Sequence, residues 1–127
     1  MNTLTRPKRL TIAAILVMLS TMSMAVMAVA QTTEQGVASF YSDKFQGKKT
    51  SSGEVYDKNG LTASHKKLPY GTKVKVTNVA NGKSVVVTVN DRMAAKNKAV
   101  IELSRGAAEE LGFAQKGKAT VKLDVQK

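Results

Sequence analysis

Cysteine is absent from this 127-residue chain, and that single absence removes several possibilities together. Without thiols there is no disulfide, no thiolate nucleophile and no cysteine to carry a lipid at the amino terminus, so the folded part stands on its core alone. Histidine is nearly as scarce. His65 is the single one, and a lone imidazole with no thiol beside it sets metal binding aside, so no metal and no cofactor are expected. Acids are few, 9 against 20 Lys and Arg. Nucleic acid is the common partner of such a balance, but these lysines are scattered, without arginine clusters or aromatics placed to stack bases, so none is expected. No internal repeat and no low-complexity tail stand out. Nothing resembles the elbow that presents a nucleophilic serine, which disfavours a triad built on Ser64 and His65.

The first 30 residues read as an export signal. Arg6, Lys8 and Arg9 make a basic start, an apolar stretch runs from Leu10 to about Val29, and Ala28 and Ala30 are small residues before the polar QTTEQG. The stretch is close to the ~20 residues that span a bilayer, yet the small-residue site points to cleavage before Gln31 rather than to an anchor. The remaining 97 residues, 31–127, suit one small domain, expected to be monomeric. That part keeps 17 of the 20 Lys and Arg and all 9 acids, a net charge of +8. An exported cationic domain fits an anionic cell envelope, or simply a soluble surface.

Most of the structural information lies between Thr62 and Arg92. Two valine-rich runs flank Asn81-Gly82, a dipeptide that favours a two-residue type I′ turn. That turn predicts Val76 opposite Val87 and Val74 opposite Val89. Residues two apart on a strand share a face, so Val85, Val87, Val89 and Asp91 would form one row that is apolar until its last member. An acid ending a core-facing row sits at an open rim or is held by a partner such as Arg92.

Elsewhere, Gly36–Tyr41 and Leu61–Ser64 read as short strands, separated by a long polar loop from Ser42 to Gly60 that contains Glu54. Loops of such length are often functional. Pro69 and Gly71 break the chain before the hairpin. Ala99–Leu103 reads as another strand, Ser104 can N-cap a short helix to Leu111 with Gly112 as its stop, and Ala119–Val125 alternates as a half-buried strand does. Five or six short strands and one helix predict an all-β fold, a small closed barrel with a helical insertion.

The chemistry available is carboxylate chemistry, with Asp91 and Glu54 as the candidate pair. A general acid needs a carboxyl whose pKa is raised by apolar walls or a like charge. Taken singly, each has an ordinary role: Asp91 pairs with Arg92, Glu54 is solvated, and His65 is a hydrogen-bonded structural residue.

The ordered segments GVASFY, FQGKKTSSGE, LTASHKKLPYGTKVKVTN, NGKSVVVTVNDR and IELSRGAAEELG, from about Gly36 to Val125, resemble the double-psi β-barrel domain of the RlpA (rare lipoprotein A) family. More distantly the chain is similar to the barrels of expansins and barwin-like proteins. The resemblance implies a six-stranded barrel with a groove for peptidoglycan glycan strands, and lytic cleavage of strands stripped of their peptides. It implies Glu54 of T-x-x-G-E and Asp91 of N-D-R as catalytic residues. His65 matches the A-x-H element, and His65, Arg92, Tyr70 and Asn90 are the candidate substrate-binding residues. Met93-Ala94 stands where family members commonly have Gly-Pro, and Glu102-Leu103-Ser104 where they have D-L-S.

The leading expectation is a lytic transglycosylase cutting between N-acetylmuramic acid and N-acetylglucosamine. Asp91 would protonate the leaving oxygen, Glu54 would assist, and the 6-hydroxyl would close into a 1,6-anhydro product. A wall-loosening or glycan-binding module without bond cleavage is the alternative, and a purely cationic envelope-binding protein a third. Localisation is expected in the periplasm or at the cell wall.

Overall fold

The computed structural model describes residues 33–127, so the expected export signal over residues 1–30 lies outside the described residues. Six strands close into one barrel: β1 (Thr33–Phe40), β2 (Thr62–His65), β3 (Lys73–Asn78), β4 (Ser84–Arg92), β5 (Ile101–Leu103) and β6 (Ala119–Val125). Helix α1 (Arg105–Leu111) joins β5 to β6. Around the barrel the order is β1-β5-β2-β4-β3-β6, with β1–β5 and β2–β4 parallel and the other pairs antiparallel. The expected all-β architecture of six strands with one short helix is what forms. Among the described residues no helix is long and apolar enough to cross a membrane.

Alternation along the strands fills the lumen. In β3, Val74 and Val76 are fully buried between exposed Lys73 and Lys75, and β4 contributes Val85, Val87 and Val89. Ile101, Leu103, Leu111, Phe113, Val121 and Leu123 complete the core. Each such side chain contributes roughly 1.5–3 kcal/mol on burial, which is what a chain without disulfides has to rely on.

Helix α1 follows its local signals. Ser104 Oγ accepts the Ala107 N–H at 3.3 Å, and Gly112, at φ 80°, ends the helix by donating to Ala108 and Glu109 carbonyls. Its second residue, Gly106, donates to the Lys58 carbonyl at 2.7 Å, and a Cβ there would lie 3.1–3.2 Å from the carbonyl oxygens of Lys58, Asn59 and Gly60. Backbone cannot retreat as a side-chain tip can. Gly106→Ala is expected to destabilise the fold by about 1–3 kcal/mol, measured by urea denaturation. Unchanged stability would mean the 58–60 segment yields freely.

The hairpin differs from expectation by two residues. Val74 pairs with Val87 and Val76 with Val85, and five residues, Val79 to Lys83, connect the strands. A type I′ turn needs positive φ at both central residues, and only Gly82 has it, at 76°. Asn81 is engaged elsewhere: its Nδ2 donates to the Leu111 carbonyl at 3.0 Å, beside Asn78 Nδ2 at 2.8 Å. Capping the helix end outweighs the turn preference. A shift by an even number leaves every valine on its face, so the core expectation survives.

The row ending in Asp91 does not survive. β2 pairs Ala63 with Val89 and then Ser64 with Asp91, leaving Asn90 as an extra residue on β4. One inserted residue inverts the alternation beyond it. Val89 therefore faces the lumen with Ala63 and Leu103, whereas Asp91 lies on the outer face of the barrel wall in line with Ser64 and Glu102.

The 42–60 segment is more ordered than a plain loop. A 3-10 turn spans Asp43–Phe45, and Lys49 bridges Val55 in a miniature hairpin whose turn is closed by Gly53 (φ 94°) donating to the Thr50 carbonyl at 3.0 Å. Tyr56, 2% exposed, anchors it by packing edge-on against Tyr41 with centroids 4.6 Å apart. The Tyr56 hydroxyl accepts the Arg105 N–H at 3.1 Å.

Candidate functional site

Cross-strand register builds a polar row on the outer wall. β5, β2 and β4 are neighbours, so Glu102, Ser64 and Asp91 sit side by side, and residues paired in register point the same way. Two strand spacings of ~4.8 Å put the Glu102 and Asp91 Cα atoms roughly 10 Å apart. The 42–60 segment lies over this row and leaves a cavity of about 140 Å³ lined by both carboxyls, Tyr41, Tyr56, Phe45 and Lys48 among others. The middle residue, Ser64, is 2% exposed.

The two acids are in opposite conditions. Asp91 Oδ2 accepts the Tyr41 hydroxyl at 2.6 Å, while Oδ1 accepts Ser51 N–H at 2.9 Å, Ser51 Oγ–H at 2.7 Å and Arg92 N–H at 2.9 Å. Burial pushes its pKa up, but these donors together outweigh burial and hold the carboxyl below its ordinary value. Asp91 is an ionised group. Glu102 makes no side-chain hydrogen bond or ion pair among the described residues, and burial first, then the Asp91 charge, raises its pKa. Burial and the Asp91 contact also push the Tyr41 phenol far above its usual range, so it remains a donor.

Of the residues expected at a site, Asp91 lines the cavity and Glu54 does not. Glu54 is exposed in the miniature hairpin, where its carbonyl, not its carboxyl, is used, accepting Thr50 N–H at 2.7 Å. The carboxyl that shares the cavity with Asp91 is Glu102. Sequence reading noted Glu102 only as a departure from D-L-S. Its position between inward-facing Ile101 and Leu103 marks it as outward, but its neighbourhood to Asp91 depends on strand order.

His65 follows Ser64 and so faces the other way, where it lines a separate groove with Leu68 and Leu123. Its Nδ1 accepts the N–H groups of Lys67 and Leu68 at 3.0 and 3.1 Å, which places the proton on Nε2, 3.0 Å from Glu34 Oε1. The imidazole organises the turn before β3 and lies away from the carboxyls. Arg92 donates to the His65 carbonyl at 2.9 Å, and its guanidinium lies 4.9 Å from the Tyr70 ring centroid. Tyr70, 46% exposed, meets Ser51 Oγ at 2.9 Å. Asn90 is 4% exposed, with no partner for Oδ1 among the described residues, and is the bulge residue rather than a surface contact. No group of three or more potential ligand side chains is arranged for a metal among the described residues.

A closed six-stranded barrel of this topology, carrying acids beneath a long β1–β2 segment, is a double-psi β-barrel. A family model described as lytic transglycolase matches residues 33–123, and the chain belongs to that family. It is 50% identical over 96 residues to the endolytic peptidoglycan transglycosylase RlpA of Neisseria meningitidis, a match covering 76% of this chain and 40% of that relative. To the protein of the same name from Pseudomonas aeruginosa it is 52% identical over 89 residues, 70% of this chain and 26% of that one. The chain thus spans less than half the length of these relatives. By fold alone it is similar to a Clavibacter michiganensis expansin solved in complex with cellohexaose (TM-score 0.62, 19% identity, 76% of this chain and 51% of that one). A Streptomyces papain inhibitor is comparable (TM-score 0.61, 19% identity, 76% and 96%).

Proposed function

We propose that this protein is an exported peptidoglycan lytic transglycosylase that cleaves the bond between N-acetylmuramic acid and N-acetylglucosamine in glycan strands. The observation that carries the reading is the pair of unlike carboxyls in one cavity: Asp91 saturated with donors and ionised, Glu102 without a side-chain partner among the described residues and with a raised pKa. Environments that push two acids apart assign their roles. This division replaces the expected one, because an acid held below its ordinary pKa is a poor proton donor.

Glu102 donates its proton to the glycosidic oxygen as the bond to the anomeric carbon breaks. Positive charge develops on the sugar, and the fixed Asp91 carboxylate stabilises it. The muramic 6-hydroxyl closes onto the anomeric carbon, its proton passes to the Glu102 carboxylate, and a 1,6-anhydro end is formed without water. Glu54, exposed on the miniature hairpin, holds the strand from above, and the exposed Phe45 ring at the cavity edge offers a stacking face. The groups involved require no metal. The site of action is the extracytoplasmic wall.

The test is digestion of peptide-free peptidoglycan strands by the 31–127 protein, with products read by mass spectrometry. New anhydro-muramic ends are the expected result. Strands retained on the protein with no new ends would sink the enzymatic reading in favour of a binding module.

A further inference from the structure

Ser51 is the link between the 42–60 segment and Asp91, and its hydroxyl is fully committed. An ionised carboxylate only accepts, so the Ser51 hydroxyl proton must go to Asp91 Oδ1, at 2.7 Å. Its two lone pairs then receive the Tyr70 hydroxyl at 2.9 Å and the Arg92 N–H at 2.9 Å, the latter shared with Asp91 Oδ1. The polarity of the chain follows from valence: Tyr70 O–H donates to Ser51, and Ser51 O–H donates to Asp91. Ser51 N–H adds a second bond to the same oxygen.

We infer that Ser51, with Tyr70 as its brace, is a positioning residue that clamps Asp91 as a carboxylate and ties the cavity's loop wall to β4. This assignment rests on the cleavage reading above for its catalytic consequence, and on the hydroxyl geometry for its existence. The charged and titratable groups around Asp91 are Tyr41 at the end of β1, Lys48, Lys49 and Tyr56 on the 42–60 segment, Arg92 on β4, Tyr70 before β3 and Glu102 on β5. Of these, Tyr70 acts on Asp91 only through Ser51. Tyr70, expected at first as a substrate contact, becomes the outer end of the clamp, its ring kept in place by Arg92.

The experiment follows the Asp91 carboxyl carbon by NMR through an acid titration, in the wild type and in Ser51→Ala, Ser51→Thr, Tyr70→Phe and the Ser51→Ala/Tyr70→Phe double variant. Ser51→Ala raises the Asp91 midpoint, Ser51→Thr restores it, Tyr70→Phe gives a smaller rise, and the double variant matches Ser51→Ala because the brace has nothing left to hold. In strand digestion Ser51→Ala lowers kcat by about 10- to 10²-fold with KM held, as misplacement of a reacting group does. An unmoved midpoint in Ser51→Ala, or additive effects in the double variant, would overturn the clamp. The titration contains no substrate, so a wild type that leaves glycan intact sinks the cleavage reading while the midpoints still decide the clamp.

Discussion

Asp91→Asn is expected to cut anhydro-product formation by about 10²- to 10³-fold, the usual cost of removing one preorganised electrostatic partner of a transition state. The asparagine keeps the size of the side chain but removes the charge, and its amide nitrogen faces donors on whichever side it turns. On the Oδ1 side the nitrogen meets the Ser51 and Arg92 backbone N–H donors, and on the Oδ2 side it forces the Tyr41 hydroxyl to turn from donor to acceptor. A pH signature separates this from simple misfolding. In the wild type the reaction needs Asp91 ionised and Glu102 protonated, so activity is lost as pH falls through the lowered Asp91 pKa and as it rises through the raised Glu102 pKa. The Asp91 charge is one cause, after burial, of the Glu102 rise. In Asp91→Asn that cause disappears, and the alkaline limb of the residual activity moves to lower pH. Full product yield from the variant across the pH series would remove Asp91 from the mechanism.

The same group carries a stability consequence. Because the folded pKa of Asp91 lies below its unfolded value of 3.8, its hydrogen bonds contribute stability above that value, and the contribution is lost as pH falls through the folded pKa. Asp91→Asn is expected to flatten this part of the acid-unfolding profile. A variant profile that overlays the wild type below pH 4 would argue that the donors around Asp91 find other partners.

Features of this fold that depend on short-range chemistry were legible in the sequence, and features that depend on a tertiary contact or on one extra residue were not. Helix α1 lay between Ser104 and Gly112 as read, because a cap and a left-handed stop are local. The valine faces were correct even though the hairpin register was two residues off, since alternation is blind to even shifts. What displaced the Asn81-Gly82 turn was the Leu111 carbonyl, a partner thirty residues away. A single bulge residue, Asn90, moved Asp91 from the lumen side to the outer wall, and no periodicity argument could have placed it. Glu102 became the partner of Asp91 because β5, though later in the chain, inserts between β1 and β2. Glu54 was close to Asp91 in motif order and not in the cavity lining.

Glu102→Gln tests the other half of the site and is expected to have the larger effect, a loss of about 10²- to 10⁴-fold in product formation. The substitution is nearly isosteric and keeps a hydrogen-bonding group in the cavity, but it removes the transferable proton. Glu102 has no side-chain partner among the described residues, so little folding free energy depends on it, and the thermal midpoint of Glu102→Gln is expected to match the wild type or exceed it, since a desolvated ionisable group next to Asp91 is removed. A large kinetic loss with an intact fold is the combination that distinguishes a proton donor from a packing residue. Glu102→Asp keeps the acid on a stem one methylene shorter and is expected to retain part of the activity, with the alkaline limb still present. Running Glu54→Gln beside it closes the remaining gap between sequence and structure: if Glu54→Gln abolishes product while Glu102→Gln leaves it at the wild-type rate, the proton comes from the exposed loop acid, and the 42–60 segment must fold down onto the strand before the bond breaks. The reverse outcome fixes the donor on the barrel wall, where burial and, across Ser64, the Asp91 charge raise its pKa.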